Sequence, residues 1–234
     1  MNRFPMEEQA IKRALQAAEK APDYSLAGQR AWKLFKENAW MSFVYGMGIV
    51  AALLLLVLEY PAVYLIFSVL VLPPLCFGFY LVANKKHQGE PIVYTDFYQG
   101  FRFMYPAVSV WLIGQAATLV GAFLLVLPGV YLLVAFSYGS LVALFFGLDP
   151  LRSLLLSAQL IHKHWLHFLL IGGSVYALNL VASFLTLGLG LALTLPLSFY
   201  FYYFLFYEQI GQYALEEEEE ETINTEEESE NPFF

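Results

Sequence analysis

The sequence is short of charge, and what charge it has is kept out of its apolar blocks. Only 14% of its 234 residues are charged, against roughly 25% in an ordinary soluble domain. Apolar residues make up 59%, and one compact unit of this length buries only about 60–75% of its unfolded surface. These proportions exclude a soluble enzyme, a disulfide-stapled secreted domain and a nucleic-acid binder. Cysteine is all but missing: Cys76 stands alone, which excludes an intrachain disulfide and a thiolate zinc site. No Asp, Glu, Lys or Arg lies deep in an apolar block, whereas coupled ion carriers usually need one there. No nucleophile beside a base, phosphate-cradling glycine loop or paired-carboxylate site is present. The expectation is therefore no catalytic residue, no cofactor, no metal and no enzymatic activity. Nor is a cleavable signal peptide expected, because the first 39 residues carry seven Lys/Arg and five acids before any apolar run.

What is present is six apolar blocks, at Trp40–Leu58, Pro61–Ala83, Tyr105–Leu127, Gly129–Gly147, Trp165–Leu187 and Leu189–Tyr207. Each has the roughly 17–25 residues that a helix needs to cross a bilayer. An all-α polytopic membrane protein follows, with six spans paired as three hairpins. Tight breaks are expected at Glu59-Tyr60-Pro61, at Pro128-Gly129 and at Gly188 with Gly190. All twelve Lys/Arg fall before span one, between spans two and three, or between spans four and five. The positive-inside rule makes that face cytoplasmic, with both termini inside.

The chain reads as three related units, over residues 26–91, 92–147 and 148–210 of a 26–210 membrane domain. Each unit has an amphipathic lead segment, an aromatic start and a Leu-Pro step at Leu72-Pro73, Leu127-Pro128 or Leu195-Pro196. The leads run Ala31–Trp40, Asp96–Tyr105 and Ala158–Trp165, and are expected to lie as helices in the cytoplasmic interface. Asp149-Pro150 is a strong start for the third, with Asp as N-cap and Pro at the first helical position. Arg30, Lys33 and Lys36 form a basic stripe on the first lead, and Arg152, His162 and Lys163 face outward on the third. These six are the candidate contacts to anionic lipid headgroups. A separate helix is expected at Met6–Lys20 within a cytoplasmic segment, residues 1–25. The tail, residues 211–234, holds ten of the twenty acids and is expected to be a disordered solvated spacer.

Small residues allow close helix approach in lipid, where hydrophobicity does not drive association. Span three carries Gly114, Ala117, Thr118 and Gly121 on one face. Span four carries Ala135, Gly139, Ala143 and Gly147 at four-residue spacing. Shorter versions are Gly48 with Ala52 and Gly173 with Ala177. Internal packing, or contact with a second copy of the chain, would use these stripes. Gln115 and Asn179 are the two polar residues placed deepest, and polar groups there are functional candidates. His162, His164 and His167 cluster, but without the acidic or thiolate company usual for zinc.

The stretch Leu127-Pro128-Gly129-Val130-Tyr131-Leu132, then Gly147-Leu148-Asp149-Pro150-Leu151-Arg152-Ser153-Leu154, then His162-Lys163-His164-Trp165, resembles a group of bacterial six-span proteins of unknown function. That group includes the membrane domain fused to some glycerophosphodiester phosphodiesterases. Trp32-Lys33-Leu34-Phe35-Lys36-Glu37-Asn38 resembles its lead segment. The likeness covers roughly residues 26–210 and implies a bacterial inner-membrane location and a non-catalytic module. The phosphodiesterase site lies in a separate domain, so no catalytic residue carries over. Two functions remain open: a scaffold or accessory factor meeting lipid and protein partners, or a small transporter or channel for an apolar or neutral solute.

Overall fold

The computed structural model describes residues 3–211, and these are all-α with no strand. Nine helical rods follow one another: α1 (Arg3–Ala17), α2 (Tyr24–Glu37), α3 (Ala39–Glu59), α4 (Pro61–His87), α5 (Tyr94–Leu124), α6 (Val126–Phe145), α7 (Pro150–His162), α8 (Trp165–Leu185) and α9 (Leu191–Phe206). Five of them, α3, α4, α5, α6 and α8, are long and apolar enough to cross a membrane. The block expected as span six forms a shorter α-helix of 16 residues, continued by a π turn at Tyr207–Gly211. The expected tail lies outside the described residues, apart from Gly211.

The three lead segments are helical. Asp23 caps α2, its Oδ1 accepting from the backbone N–H groups of Ser25 and Leu26 at 3.0 Å each. The buried face of α2 is Ala27, Ala31, Leu34 and Phe35, while Trp32 stays exposed and stacks on Phe35. The second lead is a 3-10 helix, Tyr94–Phe103, that opens α5. Asp96 anchors it by accepting from Val93 N–H (2.8 Å), Gln99 Nε2 (2.8 Å) and Lys85 Nζ (3.0 Å). The third lead is α7. Asp149 precedes it without a side-chain cap bond; instead Ser153 Oγ donates back to the carbonyls of Leu148 and Asp149.

Two hairpin joints fall where expected, at Tyr60 before Pro61 and at Leu187-Gly188, whose φ values are 53° and 94°. The middle joint does not fall at Pro128-Gly129. The chain turns at Leu125, which is extended (φ −157°, ψ 139°), and Pro128 sits in the first turn of α6. The N–H that proline lacks has no helical partner at that position, so Pro128 does not break the helix. Gly129 serves a different end there: a Cβ on it would come within 2.6 Å of Ala122.

Two rods are irregular inside, and each irregularity has a local cause. Pro73 and Pro74 in α4 cannot donate to the preceding turn, and α4 passes through a π turn at Phe67–Val71 just before them. The α6 helix stops at Ala135 and resumes at Gly139, so the four-residue stripe of span four is not on one continuous helix. This gap interrupts the run of helical backbone bonds. Ser157 of α7, fully buried, closes it: its Oγ donates to Ala135 O at 2.6 Å and accepts from Tyr138 N–H at 3.1 Å. Non-helical backbone at membrane depth is tolerated only where protein satisfies it in this way. The α7 lead is thus built into the fold along one face.

The closest crossing brings the 3-10 segment onto α4. A Cβ on Gly78 would stand 1.9 Å from Phe97 O, and one on Gly100 would stand 2.0 Å from Pro74 O. Backbone lies directly on backbone. Tyr45 of α3 seals the crossing, its hydroxyl donating to Leu75 O and Phe97 O at 3.0 Å each. Its ring packs on Phe79 and Phe97.

Gly78→Ala or Gly100→Ala should therefore destabilise the fold by about 2–3 kcal/mol or more. Gly48→Ala, where an added Cβ meets nothing within 4 Å, should be near neutral. Thermal unfolding in detergent distinguishes them. Ser157→Ala should lose about 1–3 kcal/mol by orphaning buried backbone groups, in the same assay.

Candidate functional site

The α8 helix stands away from the rest. Only 6% of its apolar stretch is buried within the protein, against 44% for α4 and for α6. Two of its contacts bracket an open space. Near its start, Phe168 packs edge-on against Tyr138 with centroids 5.3 Å apart. Near its end, Asn179 Nδ2 donates to Ser198 Oγ of α9 and to Val175 O, both at 2.8 Å. Phe168 and Asn179 are eleven residues apart, about 16 Å along the helix.

Between those two contacts lies a cavity of about 430 Å³, walled by α8, α9, α6 and Tyr80 of α4. It falls within the roughly 300–1,000 Å³ of ordinary ligand sites. Its walls are mostly apolar or aromatic, with Tyr80, Phe199, Tyr176 and Tyr202 prominent. Polar atoms are few. The Ser137 hydroxyl, in the gap of α6, donates to Val134 O, and that of Ser198 donates to Thr194 O within α9. Asn179 Oδ1 is buried and accepts no hydrogen bond. Glycines shape the space: a Cβ on Gly172 would reach 3.0 Å from the Tyr202 hydroxyl, whereas one on Gly173 would meet nothing within 4 Å.

Gln115 does not share this cavity. It is exposed and lines a separate space of about 120 Å³ with Thr118, Leu133 and Ser140. Leu133 forms part of both linings, so an apolar side chain lies between the spaces that Gln115 and Asn179 line.

The small residues are placed variously. Gly114 and Gly139 both face Leu154 of α7, which would lie 3.5 Å and 2.7 Å from an added Cβ. Ala135 and Ala143 are buried, while Ala117 and Thr118 are half-buried. Gly121 lies against Gly129 and Leu132 near the α5–α6 turn. Gly147 is beyond α6, at φ 61° with open space around it, and serves the turn.

The basic residues gather where the helix ends meet. Arg30 pairs with Glu208, Lys85 with Asp96 (3.0 Å), Lys86 with Glu37 (3.2 Å) and Lys163 with Glu19 (2.6 Å). Lys33 and Arg152 are exposed, and Lys36 Nζ lies 5.8 Å from the Trp32 ring centroid, within cation–π range. His162 Nδ1 lies 2.8 Å from the Tyr131 hydroxyl, and His164 Nε2 lies 3.0 Å from Glu19 O. Among the described residues no group of three His, Cys, Asp or Glu is placed to hold a metal ion.

Sequence reasoning missed Ser137, Ser198 and Ser157 as residues that shape these sites. For Ser157 a signal existed, because Ser153 and Ser157 interrupt the apolar face of α7 at four-residue spacing. No family model, curated protein or solved structure matches the chain.

Glu19 fastens the segment after α1 to the α7–α8 junction. The hydrogen bond and charge of Lys163 hold its carboxyl below the usual carboxylate range. That contact is present above the unfolded carboxylate pKa, about 4.3, and is lost as pH falls through the lower folded value. Hydrogen-exchange protection in the 10–20 segment, taken relative to each amide's intrinsic rate at the same pH, should fall at acidic pH, and Lys163→Ala should produce the same fall at neutral pH.

Proposed function

We propose that the chain is a non-catalytic, six-span protein of the bacterial cytoplasmic membrane that holds an apolar lipid chain in the α8 groove. It acts as a scaffold or accessory factor, with a protein partner or a second copy of the chain joining it through the exposed apolar faces. Five membrane-length helices support the membrane setting. The α9 helix serves as the sixth span: its α-helical part covers about 24 Å, and the π turn carries it further. The segregation of all twelve Lys/Arg supports cytoplasmic termini. The non-catalytic reading rests on the absence of a charged constellation in any apolar block, and agrees with the resemblance to bacterial membrane modules.

The observation that carries the reading is the groove itself. It is apolar, it lies on the flank of a helix that the protein barely buries, and it extends about 16 Å along α8. That length is close to one leaflet of a hydrocarbon core of about 30 Å. A second reading, passage of a neutral solute, draws on the free acceptor Asn179 Oδ1. It is the weaker of the two, because Gln115 opens to a different space and leaves no continuous polar lining.

Gly173→Leu tests the proposal by filling the groove from a position with open room. Native mass spectrometry of the gently extracted protein should show retained phospholipid in the parent. The variant should retain several-fold less, with an unchanged melting temperature. Equal retention by both would sink the groove. Solute flux in proteoliposomes that Asn179→Leu abolishes would establish the transport reading in its place.

A further inference from the structure

A third cavity, of about 230 Å³, lies where α2, the end of α4 and α9 meet. Its wall holds Arg30 and Lys33 from α2, Lys86 and His87 from α4, and Glu37; Leu34 and Phe204 supply the apolar floor. Residues more than fifty positions apart in the chain are thus brought to one space. Two ion pairs set the walls: Arg30–Glu208 ties α2 to the end of α9, and Lys86–Glu37 ties α4 to α2. Among the described residues, three cations against two carboxylates leave one positive charge over. Lys33 supplies it, one helical turn from Arg30 and exposed at the rim.

The position matches a membrane surface. Trp32 and Trp40 are exposed on either side of Lys33 and Lys36 along the chain, and tryptophan concentrates at headgroup level. The side of α2 that faces α9 is apolar and the side that bears Lys33 is polar, as in a helix lying in the interface. Basic pockets between helices at that level are suited to phospholipid headgroups. A phosphodiester carries a single negative charge, which the unmatched cation complements. It also accepts hydrogen bonds without donating, and Arg30, Lys33 and Lys86 are donors only.

We propose that this pocket binds the phosphodiester of an anionic phospholipid headgroup, with Lys33 and Lys86 as its direct contacts and Arg30 holding the wall in place. The proposal rests on the membrane setting and lipid-holding role above, and adds headgroup selection at a site separate from the groove.

The test uses the full chain in nanodiscs of phosphatidylcholine mixed with phosphatidylglycerol, with retained lipid identified by native mass spectrometry. The parent should enrich phosphatidylglycerol. Lys33→Gln with Lys86→Gln should lower that enrichment about tenfold or more, given about 1 kcal/mol for each basic residue near an anionic surface. Lys33→Arg with Lys86→Arg should keep it and shows that the pocket still folds. Lys12→Gln with Arg13→Gln removes the same charge from the exposed side of α1 and should leave enrichment unchanged. Equal loss in the α1 variant would overturn the proposal in favour of diffuse surface attraction. Displacement of the lipid by soluble dimethyl phosphate, dependent on Lys33 and Lys86, would identify a soluble phosphodiester as the ligand and overturn the lipid assignment. Retention of both lipids without enrichment would defeat this inference alone, while retention of no phospholipid would defeat the lipid-holding role as well.

Discussion

The crossing of the 3-10 segment over α4 is the constraint on which the rest of the structure depends. At Gly78 and Gly100 the two backbones touch with no side chain between them. That contact brings the first hairpin against the second and places Phe97 under the Tyr45 hydroxyl. It also sets Lys85 beside Asp96, so the anchor of the 3-10 segment and the basic end of α4 are one assembly. Inside a bilayer, burial of apolar surface does not favour helix association, and close packing must do so. A backbone contact of this kind is available only to glycine, because any Cβ would overlap a carbonyl.

Satisfaction of backbone groups without water accounts for the other departures from regular helix. The π turn before Pro73 and Pro74 lies in a rod that has lost two donors. The gap in α6 is closed by Ser157 from α7. These devices tie α6 and α7 tightly to the body of the protein, and α9 is held by α2, α3 and α4. No comparable device binds the middle of α8, whose contacts include Trp165 on Tyr131 and Phe168 on Tyr138 near its start and Asn179 on Ser198 further along. The groove is the space left between two attachment points on an otherwise loosely packed helix.

The basic pocket and the groove show different relations between chain order and site. Arg30, Lys33 and Lys36 were recognisable as a stripe from helical spacing alone. Lys86, His87 and Phe204 were not, because nothing in a local window says that the end of α4 and α9 converge on α2. Asn179 stood out as a deep polar residue, but its partner Ser198 and its separation from Gln115 by Leu133 depend on how three rods are set against one another. The small-residue stripes had a similar fate. Gly114 and Gly139 both receive Leu154 from α7, a side chain that spacing within α5 or α6 could not identify.

By itself the sequence determined the helical class, five of the six membrane-length blocks, two of the three hairpin joints and the gathering of Lys/Arg between particular blocks. Those features follow from local properties: hydropathy over a window, the missing N–H of proline, the positive φ open to Gly188, and the cost of charge in hydrocarbon. Tertiary structure alone decided the turn at Leu125, the gap in α6, the stand-off of α8, and the cavities between the rods. Each depends on which backbone group or side chain a distant rod supplies. Ser157 makes the α6 gap tolerable, and Gly129 can sit against Ala122 once the chain has turned early. Such partners act through space, and no periodicity within a single segment encodes them.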